Sequence, residues 1–526
     1  MPIFFKMRIQ FIHPPVYINV HAMTALRPSL PLGLALVAAV VRRAGHQVSV
    51  LDAVGLAPTQ VTPDGRLHYL GLTPEEIVER VDPEAQVLAL TNTWSFSWPL
   101  VRRIARLLKE RFPGKTLVAG GEHFTGMPEL SLETSPIDVL VLGEGEETMV
   151  ELLGALESGS PPLEEIRGLA FRKEGKVHRT PPRPRIKDLD SLPWPAWDLF
   201  DPRAYHDNGL VIGLDTGMTM PILATRGCPY ACTYCSSSTM WTRRWYARDP
   251  IDVVDEIEHY YKKYGATNFP FQDLTAILKR DWVITFCREL LKRGLKITWQ
   301  FPSGTRCEVI DEEVADLLAR TGGKSLAFAP ESGSGRTRKL IGKQMTEEAL
   351  MKAVRASVRK GLNITCFFVI GFPHDTWEDL KETFRLVRKL AVAGIDDVAV
   401  GFFFPIPGTR LYDELLEKGR IEPSDEFLYT PIFANDEKIR PENNYCENLS
   451  ARRLTLAKYL ILLNFYPLSF ATHPWRVFTI LWNVLRGRET RKLETFLNDF
   501  KRKVRLWFRA KGKERRGPEE VRTRRC

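Results

Sequence analysis

Cysteine is missing from residues 1–227 of a 526-residue chain. That half therefore offers no thiolate cluster and no disulfide framework. Of the eight cysteines, Cys287, Cys307, Cys366, Cys446 and Cys526 stand singly, whereas zinc sites usually pair C-x2-C units with a second Cys or His pair. Scattered cysteines argue for a reducing compartment, read here as the cytoplasm. The N-terminus lacks the charged, apolar and small-residue order of a secretory signal. No run of 18 apolar residues is present, so no spanning helix is expected. No G-x-G-x-x-G opens the first helix after the first strand, which speaks against a dinucleotide. Excess charge is also absent from most of the chain. The net +10 resides in residues 486–526, with sixteen Lys/Arg against six Asp/Glu, while the rest holds 58 of each sign. The basicity belongs to the tail and does not mark the whole protein as a nucleic-acid binder.

What is present suits a globular α/β protein of about three domains, with 44% apolar and 26% charged residues. Residues 1–150 alternate short apolar runs with helical patterns, the signature of a doubly wound, Rossmann-like parallel sheet. Its strand ends, where ligands of such sheets bind, read Pro14-Pro15, Asp52, Thr91-Asn92-Thr93, Gly120-Gly121-Glu122-His123 and Gly143-Glu144-Gly145-Glu146. Residues 151–215 are rich in proline and turn pairs and read as a linker, with a hairpin around Lys173–Lys176. Residues 216–410 give six further strand candidates with intervening helices, a partial (β/α)6 barrel of the TIM type whose functional loops lie at the strand C-termini. Residues 411–526 read as a helical region ending in the basic tail.

Directly after the first barrel strand stands Arg226-Gly227-Cys228-Pro229-Tyr230-Ala231-Cys232-Thr233-Tyr234-Cys235. Three thiolates in C-x3-C-x2-C spacing can hold three corners of a cuboidal [4Fe-4S] cluster and leave one iron open. A zinc site or chance placement is the bland alternative.

These residues resemble those of cobalamin (B12)-binding-domain-containing radical S-adenosylmethionine (SAM) proteins. In the first half the likeness rests on Pro31-Leu-Gly-Leu-Ala35, Ala44-Gly45-His46, Leu51-Asp52-Ala53, Gly120–His123 and Gly143–Thr148. It implies a corrinoid lying on the strand C-termini, with Gly33, Asn92, Gly120, Gly121 and Glu144 as binding residues. No Asp-x-His-x-x-Gly is present, and neither His46 nor His123 has the context of an axial ligand. The resemblance therefore implies cobalamin held without a histidine on cobalt, the alternative being a degenerate domain that binds nothing. In the second half the likeness rests on the cysteine loop, Phe271-Gln272-Asp273, Gly304-Thr305-Arg306, Pro330-Glu331-Ser332-Gly333-Ser334, Val369–Pro373 and Phe404–Arg410. It implies that Cys228, Cys232 and Cys235 bind the cluster. Tyr234, Glu331, Ser332, Ser334 and Gly371 would contact SAM, and Arg306 and Asp273 are the catalytic candidates. From the residues alone, Asp273 equally suits a helix cap and Arg306 a structural ion pair.

The activity so implied is generation of a 5′-deoxyadenosyl radical from SAM, with C-methylation of an unactivated carbon in an apolar or polycyclic substrate. Alternatives are a B12-dependent cyclase or rearrangement enzyme of tetrapyrrole or hopanoid type, and a non-catalytic corrinoid sensor. A methylthiotransferase is disfavoured because no extra cysteine triplet precedes the loop. The expected partners are a small molecule, lipid-like in one reading, and an electron donor such as flavodoxin or ferredoxin. Residues 451–485 are expected to cap the barrel. A basic amphipathic helix at 493–508 makes peripheral membrane contact through the tail the alternative to a solvated end.

Overall fold

Successive residues of a strand point to opposite faces of its sheet, and the apolar runs of the N-terminal half supply both faces. The computed structural model describes residues 7–19, 28–433, 436–486, 490, 491, 493, 494, 497 and 498. Strands β1 (Arg8–His13), β2 (Gln47–Asp52), β3 (Val87–Thr91), β4 (Thr116–Gly120) and β5 (Val139–Val141) are parallel neighbours. Ile9, Phe11, Val87, Ala89 and Val118 pack against helices α1 (Leu32–Arg43) and α3 (Gly145–Ser158). Ile12, Leu88, Leu90 and Leu117 pack on the other side with α2 (Trp98–Arg111). Along the sheet the order is β5-β4-β3-β1-β2. The chain thus reverses its direction of travel between β1 and β3, and a crevice opens there at the strand C-termini.

Part of the expected linker belongs to this sheet. Strands β6 (Leu169–Lys173) and β7 (Lys176–Arg179) form the hairpin read from the sequence, and β6 pairs antiparallel with β5. A three-residue β5 would otherwise leave an open edge. The chain that follows is tied along α1, with Ala196 N–H donating to Ala35 O and Arg42 pairing with Asp198.

The second half contributes five continuous parallel strands in sequential order: β8 (Asn268–Pro270), β9 (Thr298–Thr305), β10 (Gly323–Glu331), β11 (Asn363–Ile370) and β12 (Asp397–Phe402). The first of the six expected strands is reduced to isolated bridges, Thr219 to Asn268 and Ile222 to Phe271. Pro221 lies between them and has no N–H for the ladder. An aromatic core of Phe271, Phe286, Trp299 and Phe301 fills this end of the sheet, with ring centroids 5.0–5.7 Å apart.

Helix α4 (Trp377–Ala393) receives α5 (Ala451–Thr472), which buries Leu454, Ala457, Ile461 and Phe465. By length and mean hydropathy (1.3), α5 could cross a membrane. A search for uninterrupted apolar runs misses this because Asn464 and Ser469 break the run. The expected cap ends there. Helix α6 (Trp475–Leu485) buries Ile480 alone, while Trp475, Phe478, Leu481, Trp482 and Leu485 stay exposed. The expected helix at 493–508 lies almost wholly outside the described residues.

Candidate functional site

The cysteine loop is clamped by its own backbone and by three neighbouring segments. Gly227 has φ 87°, and a Cβ there would overlap the Arg244 carbonyl, so only glycine fits. Thr233 N–H donates to Ile341 O and Leu411 N–H to Thr233 O, both at 3.0 Å. Gly342, at φ 69°, brings its Cα side to within 2.6 Å of Ala231 O for any added Cβ. Cys228, Cys232 and Cys235 are free thiols of intermediate exposure. Burial pushes the Cys235 thiol up to about 12 and raises that of Cys232, and the neighbouring thiols oppose each other's ionisation. A bound cation inverts this, since a coordinating thiol is deprotonated outright. Three free thiols on a fixed loop suit a cuboidal cluster, which takes three thiolates and leaves one iron open.

At the end of β10, Glu331 adopts φ 63°, a conformation that costs a residue with a side chain about 1–3 kcal/mol and clusters at functional sites. Its carboxylate accepts from Lys343 Nζ at 3.1 Å. Burial alone would lower the Lys343 ammonium, but Glu331 outweighs it and the pKa is raised. Tyr234 lies beside Glu331, and burial followed by that charge lifts its hydroxyl far above the usual range. The structure thus brings Tyr234, Glu331 and Cys232 together and adds Lys343, which the sequence reading missed.

Other predicted site residues have different work. Ser334 Oγ donates to Asp379 at 2.6 Å and accepts from Thr337 N–H. Ser332 Oγ accepts from Ser334 N–H and meets Thr383 Oγ1. Both hydroxyls help to build the loop. Gly371 (φ 89°) sits where a Cβ would be 2.9 Å from Leu454 of α5, and its N–H donates to Asp375. It is required for helix packing. Asp273 is buried and accepts from Ala224 N–H (3.2 Å), Thr225 N–H (2.5 Å) and Thr225 Oγ1 (2.6 Å). Burial raises its carboxyl to about 6 against those donors. It caps no helix and fixes the turn into the cysteine loop. Arg306 lies 3.9 Å over the Tyr230 ring and pairs with Glu308, so it steadies the loop from outside. Thr225→Val removes one donor from the buried Asp273. It is expected to lower stability in urea by about 1–3 kcal/mol with iron content unchanged; an unaltered midpoint would contradict the role of Asp273.

At the N-terminal sheet, Gly121 (φ 125°) follows β4, and a Cβ on it would lie 2.5 Å from Asn92 O. Gly120 lies over Val141, where a Cβ would be 3.5 Å from its carbonyl. Asn92 N–H donates to Gly120 O, and its O accepts from His123 N–H. Its side-chain Nδ2 is buried without a partner. A buried unpaired donor beside a glycine-lined strand end fits a polar ligand seated in the crevice. Gly33 is exposed on α1 with open space beyond it. His123 meets Ser95 Oγ (3.0 Å) and Ser131 Oγ (3.3 Å), and burial pushes its pKa down to about 3. Neither ring nitrogen points to a ligand.

Glu144 is tied into the fold: its oxygens accept from Arg226 Nη1 (3.0 Å), Arg185 Nε (2.7 Å) and Ile186 N–H (2.9 Å). Arg226 also reaches Glu146 at 2.5 Å, and Glu122 accepts from Ser236 Oγ. The strand ends of the first sheet are therefore joined to both flanks of the cysteine loop, by buried ion pairs at Arg226 and by a hydrogen bond at Ser236. The sequence signal was only the acidic Gly-Glu-Gly-Glu motif and an arginine 80 residues away.

Two family models match. The Radical SAM superfamily covers residues 222–387 and the B12 binding domain covers residues 20–153. The uncharacterized methyltransferase PH0819 of Pyrococcus horikoshii is 32% identical over 403 residues, 76% of this chain and 82% of that protein. An anaerobic magnesium-protoporphyrin IX monomethyl ester cyclase of Rubrivivax gelatinosus is 30% identical over 345 residues, 65% of this chain and 60% of that protein. Among solved structures, the radical SAM methyltransferase TsrM of Kitasatospora setae, with cobalamin and a [4Fe-4S] cluster bound, superposes with a TM-score of 0.63 at 19% identity, covering 79% of this chain and 78% of the other.

Proposed function

The chain belongs to the radical SAM superfamily, in the class that carries a B12-binding domain, and from that premise we propose that it is a cobalamin-dependent C-methyltransferase acting on an unactivated carbon of an apolar or polycyclic substrate. One observation carries the reading: the cysteine loop is fastened to the strand ends of the first sheet through Arg226, Glu144 and Glu146. A corrinoid-binding sensor has no use for that junction.

When bound, the cluster and SAM supply a 5′-deoxyadenosyl radical and cobalamin supplies a methyl group, chemistry that belongs to the cofactors. The chain's part is to hold and orient. Cys228, Cys232 and Cys235 would hold the cluster. Glu331, with its ion pair to Lys343, would meet the amino and carboxylate groups of SAM, and Tyr234 would flank the adenine. Asn92 Nδ2, Gly120 and Gly121 would receive the corrinoid. No side chain has to move a proton in the carbon–carbon step, which agrees with both catalytic candidates being engaged in structural bonds. An electron donor of flavodoxin or ferredoxin type completes the reaction.

The cyclase relative keeps a second reading open, in which both cofactors serve ring formation without methyl transfer. Product analysis separates them. Methyl transfer is expected to yield S-adenosylhomocysteine together with 5′-deoxyadenosine; 5′-deoxyadenosine alone would sink the methyltransferase reading. Cobalamin binding has its own check. Gly121→Ala forces a Cβ against Asn92 O in a left-handed conformation, a strain of about 1–3 kcal/mol. It is expected to weaken hydroxocobalamin retention about tenfold or more, measured by absorbance after gel filtration, while iron content holds. Equal retention would remove Gly121 from the corrinoid site.

A further inference from the structure

Helix α6 leaves most of its surface uncovered. Trp475 and Leu485 are each 79% exposed, Phe478 65%, Leu481 56% and Trp482 54%. Trp475, Phe478, Trp482 and Leu485 follow i, i+3, i+7 and i+10 spacing and share one face. Beside it, α5 turns Leu456, Tyr459 and Leu463 outward while its opposite face is committed to α4. Soluble monomers rarely present so many large apolar side chains together without an interaction to serve.

The surrounding charge says what covers this face. Helix α6 has no acidic residue. Its only cation, Arg476, is turned inward and donates to Ile395 O and Ser469 Oγ. Arg486 follows at once, with its guanidinium 4.0 Å over the Trp482 ring. The chain from there to the end carries sixteen Lys/Arg against six Asp/Glu. Tryptophans beside cationic side chains are the composition of a lipid headgroup boundary. A basic segment next to an apolar face complements an anionic surface.

We propose that α6, with the exposed Leu463 on the second half of α5, is a peripheral docking face for an anionic lipid bilayer. The face lies in the surface and does not span it, since α5 cannot leave α4 without exposing Leu454, Ala457, Ile461 and Phe465. This inference goes beyond the proposed activity and does not depend on it. It also moves the membrane contact from the tail alone to a folded element, with the tail as its electrostatic partner.

The test is flotation of the full-length, cluster-reconstituted protein with phosphatidylglycerol–phosphatidylcholine vesicles and with phosphatidylcholine alone. Wild type is expected to float with the anionic vesicles and much less with the neutral ones. The triple variant Trp475→Ser, Phe478→Ser, Trp482→Ser is expected to lose binding about tenfold or more, with iron content and circular dichroism unchanged. Lys501→Glu, Arg502→Glu, Lys503→Glu is expected to reduce the preference for anionic lipid. Failure of wild type to float overturns the proposal, whether residues 499–526 or a second copy cover the face, and light scattering separates those two. A triple variant that floats like wild type overturns it as well, leaving the tail as the sole contact.

Discussion

Cys232→Ala is expected to purify as a folded protein that retains almost none of the roughly four irons bound by the reconstituted wild type, with 5′-deoxyadenosine formation down by more than about a thousandfold. The loss should be chemical and not structural. Cys232 is a partly buried thiol whose Sγ donates to Gly342 O at 3.9 Å, and the loop is held by backbone bonds from Cys235, Thr233 and Leu411. A small hydrophobe replaced by alanine costs little packing, whereas a three-thiolate site cut to two cannot hold a cuboidal cluster. Iron and sulfide analysis with electron paramagnetic resonance of the reduced protein reads the result. Cys287→Ala is the control: that thiol is buried in the helix Arg280–Arg293, accepts from Thr321 Oγ1 at 3.7 Å, and should leave the iron count untouched. A Cys232→Ala protein that kept its cluster would falsify the site.

Arg226→Met should be the most damaging substitution away from the cysteines. The side chains of Arg226, Glu144 and Glu146 are 4%, 4% and 5% exposed. Removing the cation strands Glu146 with no partner and leaves Glu144 to Arg185. Breaking a buried pair from one side costs about 3–5 kcal/mol, a large share of the margin of a typical fold. We expect a lower unfolding midpoint in urea, faster proteolysis between residues 180 and 227, and coupled loss of iron and corrinoid. Arg226→Lys should recover little, because a shorter side chain with one ammonium does not reproduce the fork that sets Nη1 on Glu144 and Nη2 on Glu146. Arg226→Met combined with Glu146→Gln should recover part of the loss by removing the stranded charge. An Arg226→Met midpoint equal to wild type would mean that the two sheets are held together by something else.

The cysteine loop was legible because its chemistry is local: three thiols within eight residues carry their own meaning. The parallel strands were legible because apolar runs have a period. Side-chain partners have neither property. Nothing local in the sequence shows that Glu144 meets Arg226 and Arg185, that Ser332 and Ser334 meet Thr383 and Asp379, or that Gly371 lies against Leu454. Asp273 was placed correctly at a strand end, yet its partner Thr225 lies 48 residues away, beyond any local pattern; Arg306 has a local partner in Glu308, but the Tyr230 ring beneath it comes from a distant segment. Helix α6 shows the converse: periodicity marks an apolar face but not whether anything meets it.

Helix α5 gives the barrel two distinct addresses. It starts beside Gly371, at the end of the strands where the cysteine loop lies, and finishes at His473 beside Gly394, ahead of β12. At 1.5 Å per residue, its 22 residues form a strut of about 33 Å. Chemistry sits at one end and the exposed Trp and Phe side chains of α6 at the other. A protein resting on that far end would carry its radical centre a barrel's height above the acyl chains, facing the aqueous side from which reductant and SAM arrive.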